Sequence, residues 1–188
     1  MHSIWKTAIR FTLITTVLLG LAYPLAMTAI AGALFPHQAS GSLILKDGRV
    51  IGSYLLAQSF TSDRYFHPRP SAAGNGYDAT SSGGSNLAQS NQKLVARMQA
   101  DIDKLAAQNP GKPVPIDLVT TSGSGLDPDI TPDTAYYQAH RVAEARHLSD
   151  DAVNKLIAAR ITGRTLGLLG ESRVNVLQLN LDLDALAK

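Results

Sequence analysis

The sequence predicts an α+β protein with one N-terminal transmembrane helix, followed by a single extracytoplasmic mixed domain with a small sheet. Three observations predict this class. Residues 11–35 carry no charged side chain. The dipeptide Asp47-Gly48 separates two short apolar runs, and later segments show both helical and strand periods. Because these periods do not alternate strictly along the chain, α+β is favoured over a parallel α/β fold.

The uncharged N-terminal segment is long enough to cross a bilayer. As a helix, residues 11–35 would span about 37 Å at ~1.5 Å per residue, more than the ~30 Å hydrocarbon core. Lys6 and Arg10 precede it, and the first acidic residue is Asp47. Since basic flanks stay in the cytoplasm, the remainder is exported. The predicted segments are a cytoplasmic N-terminus at 1–10, a transmembrane helix at 11–35 and an extracytoplasmic domain at 36–188.

A cleaved signal peptide is the alternative to a retained anchor. Ala29-Ile30-Ala31 and Ala31-Gly32-Ala33 both have the small-x-small form that signal peptidase accepts. The uncharged run nevertheless exceeds the usual apolar region of about 7–15 residues in a signal peptide. A retained anchor is therefore the preferred prediction, and a secreted binding protein with a cleaved leader is the alternative.

Charge and cysteine content limit the function of the exported part. Two of the 17 Lys and Arg residues precede the span and all 15 Asp and Glu residues follow it, so the exported part is formally neutral. A neutral domain lacks the basic face that a nucleic-acid binder needs. The chain has no cysteine, so no disulfide braces it. About 150 residues can bury a sufficient core without one.

The first half of the exported part predicts a hairpin, a long loop and a helix. Asp47-Gly48 suits a type I′ turn between two strands. Prolines preclude regular structure at residues 65–70, and residues 71–90 are a loop of small polar residues. Ser90 or Asn91 can cap a helix that ends at Pro110-Gly111. The apolar stripe of that helix is predicted at Leu94, Val95, Met98, Ile102 and Leu105.

The second half predicts two more helices between two strands. A short strand is expected at 115–120 and a turn-rich loop at 121–125. Thr131 can cap a helix that runs to about His147. Ser149 can cap the next helix, with Gly163 as its stop. The inward residues of that helix are predicted to be Val153, Leu156, Ile157 and Ile161. Leucines at 177, 179, 181 and 183 alternate with polar residues, which predicts a closing, half-buried strand over 173–183.

Tests for catalytic or metal chemistry find only weak patterns. Ser122 and Ser124 lie in Ser-Gly-Ser-Gly, which is not the Gly-x-Ser-x-Gly of a nucleophile elbow. With His140 they leave an extracytoplasmic serine hydrolase as an alternative function. Residues 127–133 alternate acidic and neutral residues but lack the Gly and Glu of a calcium loop. His140, Glu144 and His147 share a helical face and could hold a metal, although a solvated stripe is the commoner outcome.

Four longer strings are more specific than any of these patterns. They are YFHPRPSA at 65–72, SGGSNL at 82–87, VTTSGSGLDPDITP at 119–132 and RVNVLQLNL at 173–181. Together with the N-terminal span, in this order, the chain resembles the C subunit of the Kdp potassium-transporting P-type ATPase, the KdpC family. The resemblance covers nearly the whole chain.

The resemblance implies a non-catalytic accessory subunit. Its implied partners are a channel-like potassium-binding subunit, a P-type ATPase subunit and a small helical subunit, in the bacterial inner membrane. ATP and K⁺ are handled by that complex, and no cofactor is expected on this chain alone. The family is described as a catalytic chaperone that raises the ATP affinity of the ATPase subunit. Residues 82–85 have been likened to the signature loop of ABC transporters, with Gln89 as the nearest glutamine.

Direct nucleotide contact conflicts with the predicted topology. The flanking charges place the domain outside, whereas ATP is inside, and residues 71–91 contain no Lys or Arg to neutralise phosphate. An effect on ATP affinity is therefore expected to be allosteric. Loop residues that are aromatic, small or polar suit a docking surface. The predicted partner and coupling loops comprise Tyr65, Phe66, Arg69, Ser82, Gly83, Gly84, Ser85, Asn86, Gln89, Ser122, Ser124, Asp127 and Asp129.

Overall fold

The structure, a computed structural model, describes residues 2–186, with side chains from residue 3 onward. Residue 1, at the start of the predicted cytoplasmic N-terminus, and residues 187–188, at the end of the predicted extracytoplasmic domain, therefore lie outside the described residues. Backbone contacts divide the chain after Ser53 into an N-terminal unit and a C-terminal unit. Both helices and strands are present, which confirms the mixed class that the sequence predicts.

The N-terminal unit begins with a continuous helical segment. Helix α1 (His2–Val17), a π-helical turn (Leu18–Ala22) and helix α2 (Tyr23–Leu34) follow one another without a break. Within residues 2–186, the stretch Ser3–Leu34 is the one helix long and apolar enough to cross a membrane, and none of its most apolar window is buried against the rest of the chain. The apolar helix is confirmed and begins earlier than residue 11. The side of the membrane on which each end lies stays a prediction.

The predicted hairpin follows a short helix α3 (Pro36–Ala39). Strand β1 (Leu43–Lys46) pairs antiparallel with strand β2 (Arg49–Ser53). Asp47 and Gly48 have φ values of 52° and 75°. Two consecutive positive φ values define a type I′ turn, so the hairpin and its turn are confirmed.

The C-terminal unit is mostly helical around a very small sheet. The remaining helices are α4 (Gln92–Gln108), α5 (Pro132–Arg146), α6 (Asp150–Arg160) and α7 (Val176–Leu186). The strands are β3 (Asp129–Ile130), β4 (Ile161–Thr162) and β5 (Arg173–Asn175). Both β3 and β4 pair antiparallel with the central β5. The long loop before α4 is confirmed as irregular structure.

Three helices begin where the sequence predicts them. The side chains of Asn91, Thr131 and Ser149 each accept a hydrogen bond from a backbone N–H of the first turn. His147 follows the last residue of α5 and has the left-handed conformation. The helix therefore ends where the sequence predicts. The predicted end of α6 is wrong, because Ile161 already belongs to β4 and is exposed.

The predicted strand at 115–120 is wrong. Residues Ile116–Leu118 form a 3₁₀ turn instead. This turn buries Asp117, whose carboxylate accepts hydrogen bonds from the Thr131 N–H (2.8 Å) and the Thr134 hydroxyl (3.2 Å). A carboxylate is favourable at a helix N-terminus. The segment therefore turns because one side chain reaches the start of α5, a contact that local periodicity does not show.

The closing strand is also wrong beyond residue 175. The Asn175 side chain accepts a hydrogen bond from the Gln178 N–H (3.1 Å), which caps a helix rather than extending β5. The most deeply buried residues of α7 then recur at helical spacing; they are Val176, Leu179, Asn180 and Leu183. Leucine is a strong helix former. Leucines at every second position are compatible with both a strand and a helix, and here the chain forms the helix.

The core lies between α5, α6 and α7, with the central strand β5 and the extended segment around Phe66 packed on it. Its largest fully buried side chains include Phe66, Ile157, Leu179 and Leu183. The predicted inward positions Val153 and Ile157 are confirmed. Helix α4 has no fully buried residue, and Val95 of its predicted stripe is exposed. Helix α4 therefore lies at the edge of this unit rather than in its core.

Candidate functional site

Two of the predicted loops contact each other through their backbones. The Ser124 carbonyl accepts hydrogen bonds from the Gly83 N–H (2.8 Å) and from the Ser82 hydroxyl (3.0 Å). We call residues 82–86 and 122–127 the paired loops. The structure thus joins two motifs that are far apart in the sequence.

Glycine is needed where the paired loops touch. Gly125 has φ +68°, and a Cβ there would lie 2.7 Å from both the Ala73 nitrogen and the Gly83 oxygen. A Cβ on Gly84 would lie 3.1 Å from the Gly123 oxygen. By contrast, a Cβ on Gly83 or Gly123 would meet nothing within 4 Å. Gly125 is therefore required by its positive φ and close backbone approach, Gly84 is tightly packed, and the other two glycines face open space.

Ser71 and Tyr77 support the paired loops from the preceding segment. The Ser71 hydroxyl donates to the Gly125 carbonyl (2.6 Å) and accepts from the Tyr77 N–H (2.8 Å). The Tyr77 hydroxyl donates to the Arg69 carbonyl (2.8 Å). Burial raises the pKa of Tyr77 to about 12, so this hydroxyl stays a donor at neutral pH. The site prediction missed both residues, although Ser71 belongs to the string YFHPRPSA.

Arg69 pairs with a carboxylate of the second loop. Its guanidinium lies 3.1 Å from Asp127 and donates to the Thr120 hydroxyl at 3.3 Å. Its Nε is buried and has no hydrogen-bond partner among the described residues. Asp127 also accepts from the Asp129 N–H (3.1 Å), which closes a tight turn. These bonds give Arg69 and Asp127 a structural role in shaping the loop.

Asp129 forms a second ion pair beside the first. It lies 3.1 Å from the Arg173 Nε and accepts from the Asn175 amide at 3.2 Å. Burial raises the pKa of Asp129, and the Asn175 hydrogen bond and the Arg173 charge oppose that shift. A shallow pocket of about 300 Å³ lies between the two ion pairs, with Asp117 on its wall. Both predicted acidic residues are therefore half-buried and already paired.

The placement of Tyr65 and Phe66 corrects the docking hypothesis. Phe66 is 0 % exposed and belongs to the core. Asn180 binds both the N–H (2.8 Å) and the carbonyl (3.0 Å) of Phe66, and Gln138 binds both backbone groups of His67 at 2.8 and 3.1 Å. Two amide side chains thus replace a neighbouring strand. The expectation that Phe66 is outside the core is wrong.

Tyr65 is half-buried and contacts two helices of the same C-terminal unit. Its hydroxyl lies 3.1 Å from a carboxylate oxygen of Asp184, and the Arg146 guanidinium lies 4.7 Å from its ring centroid. The Arg146 side chain is nearly fully buried. A cation over an aromatic face is stabilising when desolvated. Tyr65 therefore connects α5 and α7.

Three predicted residues remain available for a partner. Ser85 is half-buried, whereas Asn86 and Gln89 are exposed, and none of the three side chains makes a hydrogen bond within residues 2–186. Asn86 has φ 51°, which asparagine tolerates better than most residues. The segment 85–89 is thus uncharged, and these three side chains make no hydrogen bond within the described residues. Such a segment suits hydrogen bonding to another molecule.

The hydrolase and metal alternatives find little geometric basis. The Ser122 and Ser124 hydroxyls lie 3.5 Å from each other, and Ser124 accepts from the Leu126 N–H. The His140 Nδ1 lies 3.2 Å from Asp150 rather than beside a serine. In the part of the chain that the structure describes, no group of three or more His, Cys, Asp or Glu could hold a metal ion. Among the described residues, the predicted serines and His140 are therefore not brought together.

An apolar turn between β4 and β5 is a feature that sequence reasoning missed. Leu166, Leu168 and Leu169 are 87 %, 81 % and 64 % exposed. A β-bridge between Thr165 and Leu169 holds the turn together. Three exposed leucines in four residues, with glycines between and after them, were a readable signal in the sequence. This turn is the most concentrated exposed apolar surface of the described C-terminal unit.

Comparison with known proteins identifies the class. The family model for KdpC, the K⁺-transporting ATPase c chain, matches residues 5–185. A protein of Acidobacterium capsulatum is 59 % identical over 180 residues, covering 95 % of this chain and 96 % of its own. One from Methylobacterium nodulans is 56 % identical over 184 residues, covering 92 % of each chain. Both relatives are named potassium-transporting ATPase KdpC subunit.

A membrane-associated subunit with one apolar N-terminal helix is the class that fold and comparison define together. The chain belongs to the KdpC family. This confirms the resemblance seen in the four sequence strings.

Proposed function

We propose that this chain is the non-catalytic, membrane-anchored accessory subunit of an ATP-driven, high-affinity potassium uptake complex. Its family membership supports this role, together with the names of relatives that match over nearly their full length. The proposed partners are a channel-like potassium-binding subunit, a P-type ATPase subunit and a small helical subunit. The proposed location is the bacterial inner membrane, with the N-terminus cytoplasmic and the C-terminal unit outside, because Lys6 and Arg10 precede the apolar helix.

The paired loops are the proposed docking surface for another subunit. The observation that carries this proposal is the uncharged segment 85–89, which begins in the first of these loops and in which the side chains of Ser85, Asn86 and Gln89 make no hydrogen bond within the described residues. The backbones beneath are held by hydrogen bonds, from the Gly83 N–H to the Ser124 carbonyl between the two loops and from the Ser71 hydroxyl to the Gly125 carbonyl. A rigid surface loses little conformational entropy on binding. The paired loops are therefore preorganised for contact.

The C-terminal unit is proposed to raise the ATP affinity of the complex indirectly. Residues 71–91 offer no Lys or Arg to a phosphate, and the Gly83 N–H is already bonded to Ser124. An allosteric effect is reciprocal, so ATP must also strengthen attachment of this subunit by the same factor. Binding of the subunit to the remaining complex, measured with and without a non-hydrolysable ATP analogue, tests this. An affinity that ATP leaves unchanged contradicts the allosteric role.

The docking proposal is tested with charge insertions that the fold can accept. Arginine at Gly83 or Gly123 adds a bulky cation to the paired loops. A Cβ at either position would meet nothing within 4 Å, and neither glycine has a positive φ. Ala158→Arg, on the exposed face of α6, is the matched control. We expect both loop variants to lower co-purification of the partner subunits from membranes, and the control to leave it unchanged.

The outcome separates docking from folding. Phe66→Ala is unsuitable for this test, because it removes a core side chain. Variants that melt like the wild type and still lose partners support the docking surface. Full recovery of partners with both loop variants rejects it.

An intact-mass measurement on membrane-extracted chain also tests the secreted alternative, since cleavage near Ala31 would remove the apolar helix.

A further inference from the structure

The π-helical turn leaves the carbonyl of Leu19 without a helical donor. The Tyr23 N–H bonds to the carbonyl of Leu18, five residues earlier, and not to that of Leu19, four residues earlier, as in an α-helix. The next residue, Pro24, has no N–H. The Leu19 carbonyl therefore loses both the donor four residues ahead, which an α-helix would supply, and the donor five residues ahead, which a π-helix would supply.

This carbonyl lies at the centre of the apolar helix. Leu19 is about halfway along the stretch Ser3–Leu34. If the helix spans the bilayer, the carbonyl lies in hydrocarbon, where no water is available to bond it. An unpaired polar backbone group is costly in such surroundings. The structure therefore requires a donor from somewhere at this depth.

The helix itself cannot supply the donor. Threonine hydroxyls in a helix reach back to carbonyls three or four residues earlier, as Thr15 does to Phe11 (2.8 Å) and Thr28 does to Pro24 (2.8 Å). The positions from which a hydroxyl could reach Leu19 are occupied by Ala22 and Tyr23, and neither carries a hydroxyl near its backbone. The donor must come from another molecule.

Gly20 leaves room for that molecule. A Cβ on Gly20 would meet only Thr16, at 3.9 Å, and Gly20 needs no positive φ. The chain's own structure thus gives no reason for glycine, which is a poor helix former. Close approach of a second transmembrane helix does give a reason, since helices in lipid pack through small residues.

We propose that the Leu19 carbonyl accepts a hydrogen bond from a hydroxyl or amide side chain on a transmembrane helix of another subunit, which packs over Gly20. The inference rests on the proposed function, because it assumes that the chain assembles with membrane-embedded partners. It adds the depth, the chemistry and the face of the contact. The π-helical turn is then an interaction site rather than a passive consequence of Pro24.

The test uses the intact complex, purified from membranes through a tag on this chain. Gly20→Leu blocks the approach while favouring the helix. Pro24→Ala restores a backbone N–H and allows an α-helix, which removes the free carbonyl. Gly32→Leu is the matched control, because a Cβ there meets nothing within 4 Å and the glycine lies on the same apolar helix. We expect retention of the partner subunits to fall about tenfold in Gly20→Leu and about three- to tenfold in Pro24→Ala, the range that a lost interhelical contact gives.

A photo-crosslinking residue at Thr16, beside Gly20, identifies the neighbour. Crosslinks to a transmembrane helix of another subunit support the inference, whereas crosslinks only to lipid or to a second copy of this chain overturn it. Retention in Gly20→Leu equal to that in Gly32→Leu also overturns it. If the wild-type chain retains no partner, the proposed function itself fails. If the wild type and Gly20→Leu retain partners equally, only this inference fails.

Discussion

The two units of this chain place the same apolar residue types in opposite environments. Leu19 in the N-terminal helix is 66 % exposed. Leu179 and Leu183 in α7 are 0 % exposed. Burying apolar surface away from water stabilises both arrangements, but only the second does so within the chain. Exposed leucines along a whole helix therefore indicate a non-aqueous surrounding, whereas a buried stripe indicates a core.

The two units also satisfy their polar groups differently. The N-terminal helix bonds its threonine hydroxyls locally, as Thr15 does to Phe11. The C-terminal unit uses bonds between distant residues, such as Asn180 to Phe66 across 114 positions. Local bonds survive changes elsewhere in the chain, whereas long-range bonds depend on the whole fold. Substitutions should therefore act very differently in the two units.

Replacing one phenylalanine in each unit should give the largest difference in stability between the two units. Phe66→Ala removes a core side chain and should destabilise the C-terminal unit by about 3–5 kcal/mol. Phe11→Ala, on the exposed surface of the N-terminal helix, should leave that unit unchanged. Thermal unfolding of the full-length chain in detergent, followed by circular dichroism, measures both. Equal melting of the two variants contradicts the assignment of Phe66 to the core.

Loss of the Asn180 amide should have the next largest effect. Asn180→Ala leaves the buried N–H and carbonyl of Phe66 without partners and should cost about 2–4 kcal/mol. Gln178→Ala, on the same helix and only half-buried, is the control and should cost less than about 0.5 kcal/mol. Chemical denaturation of the full-length chain reports both. A small effect for Asn180→Ala would show that the amide does not hold this segment.

Two glycines of the same loop, Gly125 and Gly123, should differ in how much their replacement destabilises the C-terminal unit. Gly125→Ala forces a Cβ into backbone atoms at 2.7 Å and should cost about 1–3 kcal/mol. Gly123→Ala meets nothing within 4 Å and should stay within about 0.5 kcal/mol of the wild type. Hydrogen exchange at Gly83, whose N–H bonds to Ser124, should accelerate only in Gly125→Ala. Unchanged exchange in that variant argues against the paired loops.

Acidification should destabilise the C-terminal unit through His67. Burial and the nearby Arg141 lower the pKa of this imidazole, against smaller opposing contributions from the Ser62 carbonyl and Asp63, and Lys104 adds to the lowering. Because the folded pKa is depressed below the unfolded value of about 6.5, stability is present above that value and is lost as pH falls through the folded pKa. His67→Gln should therefore show a smaller drop in melting temperature between pH 7.5 and pH 5 than the wild type. An equal drop excludes His67 as a cause.

The leucine turn should give the smallest effect on stability. Leu166→Ser and Leu168→Ser replace side chains that are almost fully exposed, so the free energy of unfolding should change by less than about 0.5 kcal/mol. Leu179→Ser, at a buried position, is the contrasting variant and should unfold the unit readily. A large loss of stability from Leu166→Ser would show that the turn packs against the fold.

Local features of this protein followed from the sequence. The uncharged segment, the Asp47-Gly48 hairpin and the caps at Asn91, Thr131 and Ser149 each depend on neighbouring residues only. Their physical causes are bilayer thickness, positive φ at a turn and unpaired N–H groups at a helix start. The family strings also contain both of the paired loops, although they do not show the contacts between them.

The tertiary structure decided what depends on distant partners. Phe66 reads as a loop residue, but Asn180 draws it into the core. The alternating leucines after residue 176 fit a strand and a helix equally, and the Asn175 cap together with burial beside α5 and α6 selected α7. The joining of the paired loops at Gly125 is likewise invisible in either string. Periodicity describes one segment at a time, whereas burial and backbone contact depend on which segments meet.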